Sequence, residues 1–193
     1  KMNFTSVGIK SIQFTIMPNY ELNLPLDMVF KLIHAGPKTE KMPFIPMIKF
    51  NPAKKQENIF RLYTDKIAKN GKKIPFLERL DIDKLDKLTV NFKSVSIFIQ
   101  HIIESSDESV NKKEKKIPIV CIFDDKGNIN VTIHFTEIIG LSGIQDIMKE
   151  SVNPVINVIK DYLSQSGYNI NNFTDFNDKH TKIQNIEYTM HIP

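Results

Sequence analysis

The first segment with a regular pattern is Ile9–Met17, in which apolar and polar residues alternate. A period of two residues predicts a β-strand with one buried face, because successive side chains of a strand point to opposite sides. The residues expected to face the core are Ile12, Phe14 and Ile16. The residues expected on the polar face are Ser11, Gln13 and Thr15.

The same alternation returns in two later segments, Asn91–Ile102 and Ile129–Phe135. Between them, Ile119–Phe123 predicts a buried strand that turns at Asp124–Gly127 into the next one and so forms a hairpin. The residues predicted to point inward are Val95, Ile97, Ile99, Ile129, Val131, Ile133 and Phe135. The residues predicted on the polar face are Ser94, Ser96, Phe98, Gln100, Asn130, Thr132 and His134.

Two segments have helical periodicity. Asn23–Gly36 predicts a short helix, in which the asparagine suits the cap, Pro25 the first turn and the glycine the end. Gly143–Leu163 carries a longer apolar stripe. Pro154 interrupts this stripe, because proline lacks an amide hydrogen and its ring clashes with the preceding turn. Two helices and one kinked helix both fit the pattern.

Residues 36–87 predict an inserted hairpin and a short helix. Two apolar runs flank the polar turn NPAKKQEN, and the short helix is expected at Asp81–Leu88. Pro43 and Pro46 would confine the first strand of this hairpin to a sheet edge or to an irregular segment, because proline cannot donate to a ladder.

The order of these elements predicts an α+β fold. A strand and a helix are followed by the inserted hairpin and helix, then by three strands, a long helix, a polar linker and a last strand. Strands that alternate in this way present one apolar face to helices and one polar face to solvent or a ligand. We therefore expect an antiparallel sheet with helices packed on one face only.

The last strand, in Lys182–Pro193, is a near copy of the first, in Gly8–Asn19. With Ile9 aligned to Ile183, both segments read Ile, any residue, Ser or Asn, Ile, Gln or Glu, an aromatic residue, Thr, and Ile or Met. Two explanations remain open. The last strand either begins a second unit of a tandem array or closes the sheet of the first unit by pairing with an edge.

Composition limits the class of protein only loosely. The net charge of +4 comes almost entirely from lysine, since Arg61 and Arg79 are the two arginines. Such a charge is compatible with nucleic acid without arguing for it, because bidentate recognition of phosphate or guanine favours arginine. The single cysteine, Cys121, favours a reducing, intracellular compartment. No apolar run approaches the roughly 20 residues that span a bilayer.

No motif in the sequence predicts catalysis, a metal or a cofactor. The five histidines are scattered, and none forms a pair at metal-ligand spacing on a helix. Asp81, Asp83 and Asp86 lack the glycine and the distal glutamate of a calcium loop, and they suit the start of a helix instead. Cys121 lies in a predicted buried strand, as a small core residue would. We therefore predict a protein that is not an enzyme and has neither cofactor nor metal.

Several segments carry a resemblance to a known family. The strand Leu88–Gln100, the hairpin Val120–Phe135 and the long helix after it resemble the second half of a TATA-binding-protein repeat. Lys10–Ala35 resembles the strand and short helix that open such a repeat. Lys182–Thr189 is similar to the strand that opens the second repeat of the family. Gln56–Pro75 resembles segments found in proteins of large DNA viruses.

The resemblance implies a curved antiparallel sheet whose concave face binds the DNA minor groove, with apolar wedges pushed between base steps. By matching positions, Phe92 and Phe123 would form the wedge pair, although packing in the core is the open alternative for both. Ser11 and Asn185 would lie where the family reads base edges. Together with the polar face, the candidate DNA-binding residues are Ser11, Gln13, Thr15, Phe92, Ser96, Phe98, Phe123, Asn130, Thr132 and Asn185.

We thus expect a TATA-binding-protein-like α+β domain over 1–167, with an insertion at 36–87, followed by a linker and strand at 168–193. The expected function is non-catalytic binding of double-stranded DNA in viral transcription or genome handling, in the host cytoplasm, viral factory or nucleus or in the virion. The alternative is a structural or protein-interaction domain of a larger viral protein, which docks a partner through 36–87 and binds no DNA. The polar face would then be an ordinary solvated surface.

Overall fold

The protein is described here by a computed structural model that covers residues 6–18, 23–52, 59–67, 73–77, 92–103, 115–135, 141–167 and 181–191. The predicted helix at Asp81–Leu88 lies outside these residues, as does most of the polar stretch before Lys115.

The strands form one antiparallel sheet of eight strands in the order β4-β3-β2-β5-β6-β7-β1-β8. The strands are β1 (Ser6–Ile16), β2 (Phe44–Pro52), β3 (Ile59–Ile67), β4 (Lys73–Leu77), β5 (Phe92–Ile103), β6 (Lys115–Asp124), β7 (Ile129–His134) and β8 (Thr181–His191). The first half of β3 pairs with β2 and its second half with β4, so β4 extends one edge as a ribbon.

The helices pack against one face of this sheet. They are α1 (Leu26–Leu32), α2 (Leu141–Ile147), a π-turn (Met148–Val152) and α3 (Asn153–Gln165). Their buried residues and the inward residues of the strands form a single apolar cluster. The expected α+β class, with an antiparallel sheet and helices on one face, is therefore confirmed.

The core follows the alternation of the strands. The fully buried strand residues, at most 1 % exposed, include Phe14, Ile16, Val95, Ile97, Ile99, Ile119, Cys121, Phe123, Ile129, Val131 and Ile133. The helices cover them mainly with Val29, Phe30, Ile147, Met148, Val152, Val155, Ile156 and Ile159. Ile119–Phe123, which we expected to be buried on both faces, is buried only at every second residue.

Of the two arrangements left open for the long helix, a single helix is correct: it runs from Leu141 to Gln165 without a break, and a π-turn precedes Pro154. The backbone N–H of Asn153 donates to the carbonyl oxygen of Met148, five residues earlier. Pro154 then stands in the first turn of α3, where its missing amide hydrogen matters least. The wider π-turn gives the proline ring room, since an α-helical turn would press it against the preceding carbonyl.

Helix α1 is shorter than the sequence predicts. Pro25 stands at its N-cap position, no side chain caps that end, and the helix ends at Leu32 instead of continuing to Gly36. Ile33 is extended, and Gly36 pairs with Ile45 in an isolated bridge. The helix stops here because a side chain from another strand supplies partners for its last carbonyl groups.

That side chain is Arg61 of β3. Its Nη1 atom donates to the carbonyl oxygens of Phe30, Lys31 and Ile33 at 2.9–3.0 Å, and Nη2 lies 2.6 Å from His34 Nδ1. Burial, assisted by the Arg61 charge, lowers the pKa of His34, so its neutral Nδ1 accepts the hydrogen bond. Arg61 thereby fixes the β2–β3 hairpin to α1.

Strand β2 lies inside the sheet, between β3 and β5. The pairing of β2 with β5 is irregular between Phe44 and Met47, which is where Pro46 interrupts the ladder. A bulge leaves one residue unpaired, so it accommodates the missing N–H of proline within an interior strand. Of the two positions expected for this strand, the irregular one is correct and the edge position is wrong.

Strands β1 and β8, the two near copies, pair with each other in a symmetric register. Ile12 lies opposite its own counterpart Ile186, and the irregularities fall at Lys10 in β1 and at Gln184 in β8. Lys10 and Gln184 are themselves counterparts when Ile9 is aligned with Ile183. The ladder is therefore related to itself by a local two-fold axis at Ile12 and Ile186.

Replacing Arg61 by methionine should lower the free energy of unfolding by about 2 kcal/mol, because four charge-assisted hydrogen bonds are lost. Arg61→Lys should recover only part of this loss, since an ammonium group lacks the planar fork. Urea unfolding measures both, and Lys49→Met in the neighbouring strand is the control. A change of less than about 0.5 kcal/mol for Arg61→Met would contradict the role of Arg61.

Candidate nucleic-acid interface

The face of the sheet opposite the helices, here called the open face, is built from two adjacent rows of residues that cross β3, β2, β5, β6, β7 and β1. Paired residues of neighbouring strands point to the same side, so each row is read directly from the register. The first row is Leu62, Met47, Phe98, Val120, Thr132 and Gln13. The second row is Phe60, Lys49, Ser96, Ile122, Asn130 and Thr15.

Six of the ten candidate residues fall on these two rows. They are Gln13, Thr15, Ser96, Phe98, Asn130 and Thr132. Ser11 lies on the same face, one pair further along, opposite His134. The backbone of Asn185 is paired with Gln13 and so continues the first row into β8. The topology thus brings eight of the predicted positions to one surface.

Their accessibility differs. Gln13 is exposed and Phe98, Asn130 and Thr132 are half-buried, whereas Ser11, Thr15 and Ser96 are only 8 %, 7 % and 5 % exposed. The three hydroxyl residues are short and lie between longer neighbours on adjacent strands. A ligand on this face would therefore touch the amides, Thr132 and the aromatic ring before it reached the buried hydroxyl groups.

Two amide side chains are held by hydroxyl groups. Thr15 Oγ1 donates to Asn130 Oδ1 at 2.6 Å. Because its oxygen is engaged, Asn130 can offer its amide N–H groups to a ligand. Near the other end of the row, Asn51 Nδ2 lies 3.0 Å from Ser94 Oγ and 2.8 Å from Ser96 Oγ. Both amides are therefore fixed before any ligand arrives.

The two phenylalanines that the resemblance assigned to a wedge do not share the open face in the described structure. Phe123 is 0 % exposed and lies opposite Val95 and Ile129, on the helix side. Phe123 is therefore a core residue, and it could contact a ligand only by leaving the packed cluster. Phe92 pairs through its backbone with Pro52, and its side chain lies outside the described residues.

The charges of this region lie at its ends. Lys49 is the charged residue in the two rows, and Lys116, opposite Ile102, is exposed on the same face at the start of β6. Lys126 is exposed in the turn after β6, whereas Lys93 and Lys115 are exposed on the helix side, each two residues from a buried strand residue. Lys116 Nζ also lies 5.4 Å from the centre of the Phe44 ring. Among the acidic residues, Asp124 lies opposite Ser94 at the end of β6 and accepts hydrogen bonds from its own turn, and the backbone of Glu187 pairs with Ser11.

Sequence reasoning missed the apolar part of the open face. The sequence predicts Val120 and Ile122 as buried, and it places Met47, Leu62 and Phe60 in the inserted hairpin of 36–87 without assigning them to a face. All five are half-buried on the open face. The alternation within β6 could have identified Val120 and Ile122. The residues between and beside them, Ile119, Cys121 and Phe123, already occupy the inward positions, so Val120 and Ile122 must point to the other face.

A second chemical cluster lies away from the open face. His101, 7 % exposed, has its Nδ1 atom 2.7 Å from Ser151 Oγ and its Nε2 atom 3.9 Å from Glu150 Oε2. The residue types are those of a hydrolase triad, but Ser151 is 2 % exposed, so its hydroxyl group cannot meet a substrate in this conformation. No local pattern predicts that His101 and Ser151 meet, since they lie 50 residues apart.

Two further features of the described residues are a cavity and a buried cysteine. A half-open cavity of about 300 Å³ lies on the helix side, lined mostly by apolar residues of 32–43 and by Val158. Burial raises the pKa of Cys121 to about 12, which confirms it as an inert core residue. Within the described ranges, no His, Cys, Asp or Glu cluster could hold a metal ion. None of the helices described is both long and apolar enough to cross a membrane.

Comparison with known proteins adds no assignment. The chain matches no protein-family model, and comparison with curated proteins and with solved structures gave no match either. Functional inference therefore rests on the geometry of the open face and on the sequence.

One substitution on each face of the sheet tests which rings lie in the core and which lie on the open face. Phe123→Ala should lower the free energy of unfolding by about 3–5 kcal/mol, because it leaves a cavity in the core. Phe98 lies in the neighbouring strand β5 and is half-buried on the open face, so Phe98→Ala should lower the free energy of unfolding by only about 1–2 kcal/mol. Urea denaturation measures both. Equal losses would show that the face assignment of these rings is mistaken.

Proposed function

We propose that the protein binds double-stranded DNA through the open face, in the manner of the TATA-binding-protein family that its sequence resembles. The ligand is the minor groove, which the sheet would cover with the two rows of residues. The role is non-catalytic, in transcription or genome handling. The observation that carries the proposal is the two-fold ladder between β1 and β8.

A two-fold ladder suits a duplex because the two DNA strands are themselves related by two-fold axes, and symmetric proteins use this match. Gln13 and Asn185 pair on one side of the axis, and Ser11 and Glu187 on the other. Amide and hydroxyl groups at such a position can meet equivalent base edges on both DNA strands. Glu187 is the exception, since a carboxylate near phosphates is repelled.

The chemistry of the rows supports the same ligand. Minor-groove proteins combine amide groups, which read the acceptors at base edges, with apolar side chains that wedge between base steps. Asn130 offers fixed amide donors, and Gln13 is exposed beside it. Two half-buried aromatic rings lie in the rows, Phe60 at the end of the second and Phe98 inside the first. We assign the wedge to Phe98 in place of Phe123, because the strand of Phe98 lies nearer to those of the amide groups.

A second candidate function is docking of a protein partner. Four of the six residues of the first row form a continuous, half-buried apolar stretch, and two of these four come from the β2–β3 hairpin: Leu62, Met47, Phe98 and Val120. An apolar, uncharged patch of this kind also suits a protein surface. If the partner is a second copy, sedimentation should show a dimer that Val120→Glu dissociates.

DNA binding can be tested with a matched pair of substitutions. Gln13→Glu places a carboxylate on the open face, and Gln145→Glu places the same charge on the exposed side of α2. We expect Gln13→Glu to weaken binding of a fluorescent A+T-rich duplex at least tenfold, about 1.4 kcal/mol, because a carboxylate has no hydrogen to donate to the acceptors at base edges and is repelled by the charge of the groove. Gln145→Glu should change the affinity less than about twofold. Anisotropy at low and moderate salt measures both.

Equal losses for the two variants would place the DNA contact elsewhere, or would reduce it to a non-specific effect of net charge. Absence of binding by the unmodified protein at low salt would reject the proposal. In that case the protein-docking function becomes the better explanation of the open face.

A further inference from the structure

The contact between β5 and the π-turn is polar, although it lies in the apolar layer between sheet and helix. His101 continues the inward series of β5, where the preceding inward residues Val95, Ile97 and Ile99 are at most 1 % exposed. Its ring meets Ser151, which is 2 % exposed, while the side chain of Glu150 remains 60 % exposed at the rim. The imidazole is therefore buried among apolar residues, where the surrounding groups determine whether it carries a charge near neutral pH.

The geometry fits the neutral ring. With Nδ1 unprotonated, the hydroxyl group of Ser151, 2.7 Å away, is its donor, and the hydrogen on Nε2 then points towards the Glu150 carboxylate, 3.9 Å away. A second proton on the ring would occupy Nδ1 and reverse this hydrogen bond. The hydroxyl group would then have to turn its hydrogen to a backbone carbonyl of its own helix, and a charge would stand in the apolar layer.

The surrounding charges act in both directions. Burial lowers the pKa of His101, and the Lys38 charge from the loop after α1 adds to this effect. Glu150 of the π-turn and Asp146 of α2 oppose it. Across the sheet, the residue opposite His101 is the uncharged Ile117. The acidic groups therefore moderate the preference for the neutral ring without reversing it.

The π-turn is the part of the long helix that is held least firmly by backbone hydrogen bonds. The backbone hydrogen bond at its end spans five residues, and Pro154, two residues after the turn, has no N–H to donate back to it. Met148 and Val152 anchor it in the core, at 1 % and 0 % exposed, and Ser151 supplies its polar contact with β5. Loss of that contact would act on this segment first.

We propose that the His101–Ser151 contact is a pH-sensitive joint between the sheet and the long helix, closed at neutral pH and weakened in mildly acidic solution. The joint is independent of whether the open face binds DNA. It is a device for changing the stability of Leu141–Gln165 within the acid range of cellular compartments.

The direction follows from proton linkage. A histidine has a pKa of about 6.5 in the unfolded chain, and that of His101 lies lower in the folded protein. The folded state therefore binds fewer protons than the unfolded state below about pH 6.5. The stability that the joint contributes is fully present above that pH and is lost as the pH falls towards the folded-state pKa of His101. In that range the equilibrium constant for opening of the helix rises by up to about tenfold per pH unit.

Hydrogen exchange measures this directly. In the full chain, protection factors of Leu141–Gln165 should fall as the pH is lowered from about 7.5 to 5, by up to about tenfold per unit below 6.5. His101→Gln should remove this dependence. His134→Gln removes an exposed histidine from the open face and should leave the dependence unchanged. His34, whose pKa is also lowered, lies beside α1, so its contribution appears in Leu26–Leu32 instead.

The result that overturns the proposal is a flat profile over Leu141–Gln165 in the unmodified protein, or a profile that His101→Gln does not alter. Should His101→Gln fail to fold, the unmodified protein and Glu150→Gln still decide the question by NMR titration of the imidazole. Removing the Glu150 charge should shift the His101 titration to lower pH. A titration at or above the unfolded value in the unmodified protein, or one that Glu150→Gln leaves in place, rejects the joint.

Discussion

Burial of one face of the sheet beneath the long helix is the interaction on which the rest of the structure depends. Every second residue of β1, β5, β6 and β7 enters one apolar cluster with α1, α2 and α3. A shift of any of these strands by one residue would turn its apolar side chains to the solvent, so the register is fixed by the core. The open face follows from this constraint, since its residues are simply those that the core does not take. The side chains of the open face are therefore held in register by the core beneath them.

The same constraint explains the irregular places in the structure. Pro46 and Pro154 each remove a backbone donor, and in both cases the chain keeps its apolar residues in the core and lets the hydrogen bonds rearrange. A bulge in β2 and a π-turn in the long helix are the results. The π-turn in turn brings Ser151 to His101, so a polar joint exists where an unbroken α-helix would have offered different residues to β5.

The sequence predicts the faces of the strands because alternation is local information. Val95, Ile97 and Ile99, for example, are buried as their spacing requires. It does not predict the end of α1, because Arg61 satisfies the carbonyl groups of that helix from 28 to 31 residues away. It also does not predict that Thr15 is buried on the open face, since that depends on Asn130 of a neighbouring strand. Local pattern identifies which side a residue faces, and only pairing between strands determines how accessible it is.

The layout of charge on the open face determines which forces a DNA ligand could use. The two rows hold one lysine among neutral residues, and exposed lysines lie beyond them at both ends of β6, Lys116 at its start and Lys126 in the turn after it. In a minor groove, base edges lie at the floor and the two phosphate backbones along the walls. A neutral centre with lysines on either side matches that distribution. Few phosphate contacts mean few released counterions, so affinity would depend on shape and apolar contact more than on salt. Such a surface gains most from a sequence that bends easily, because bending brings the lysines and the apolar row into contact with the same duplex.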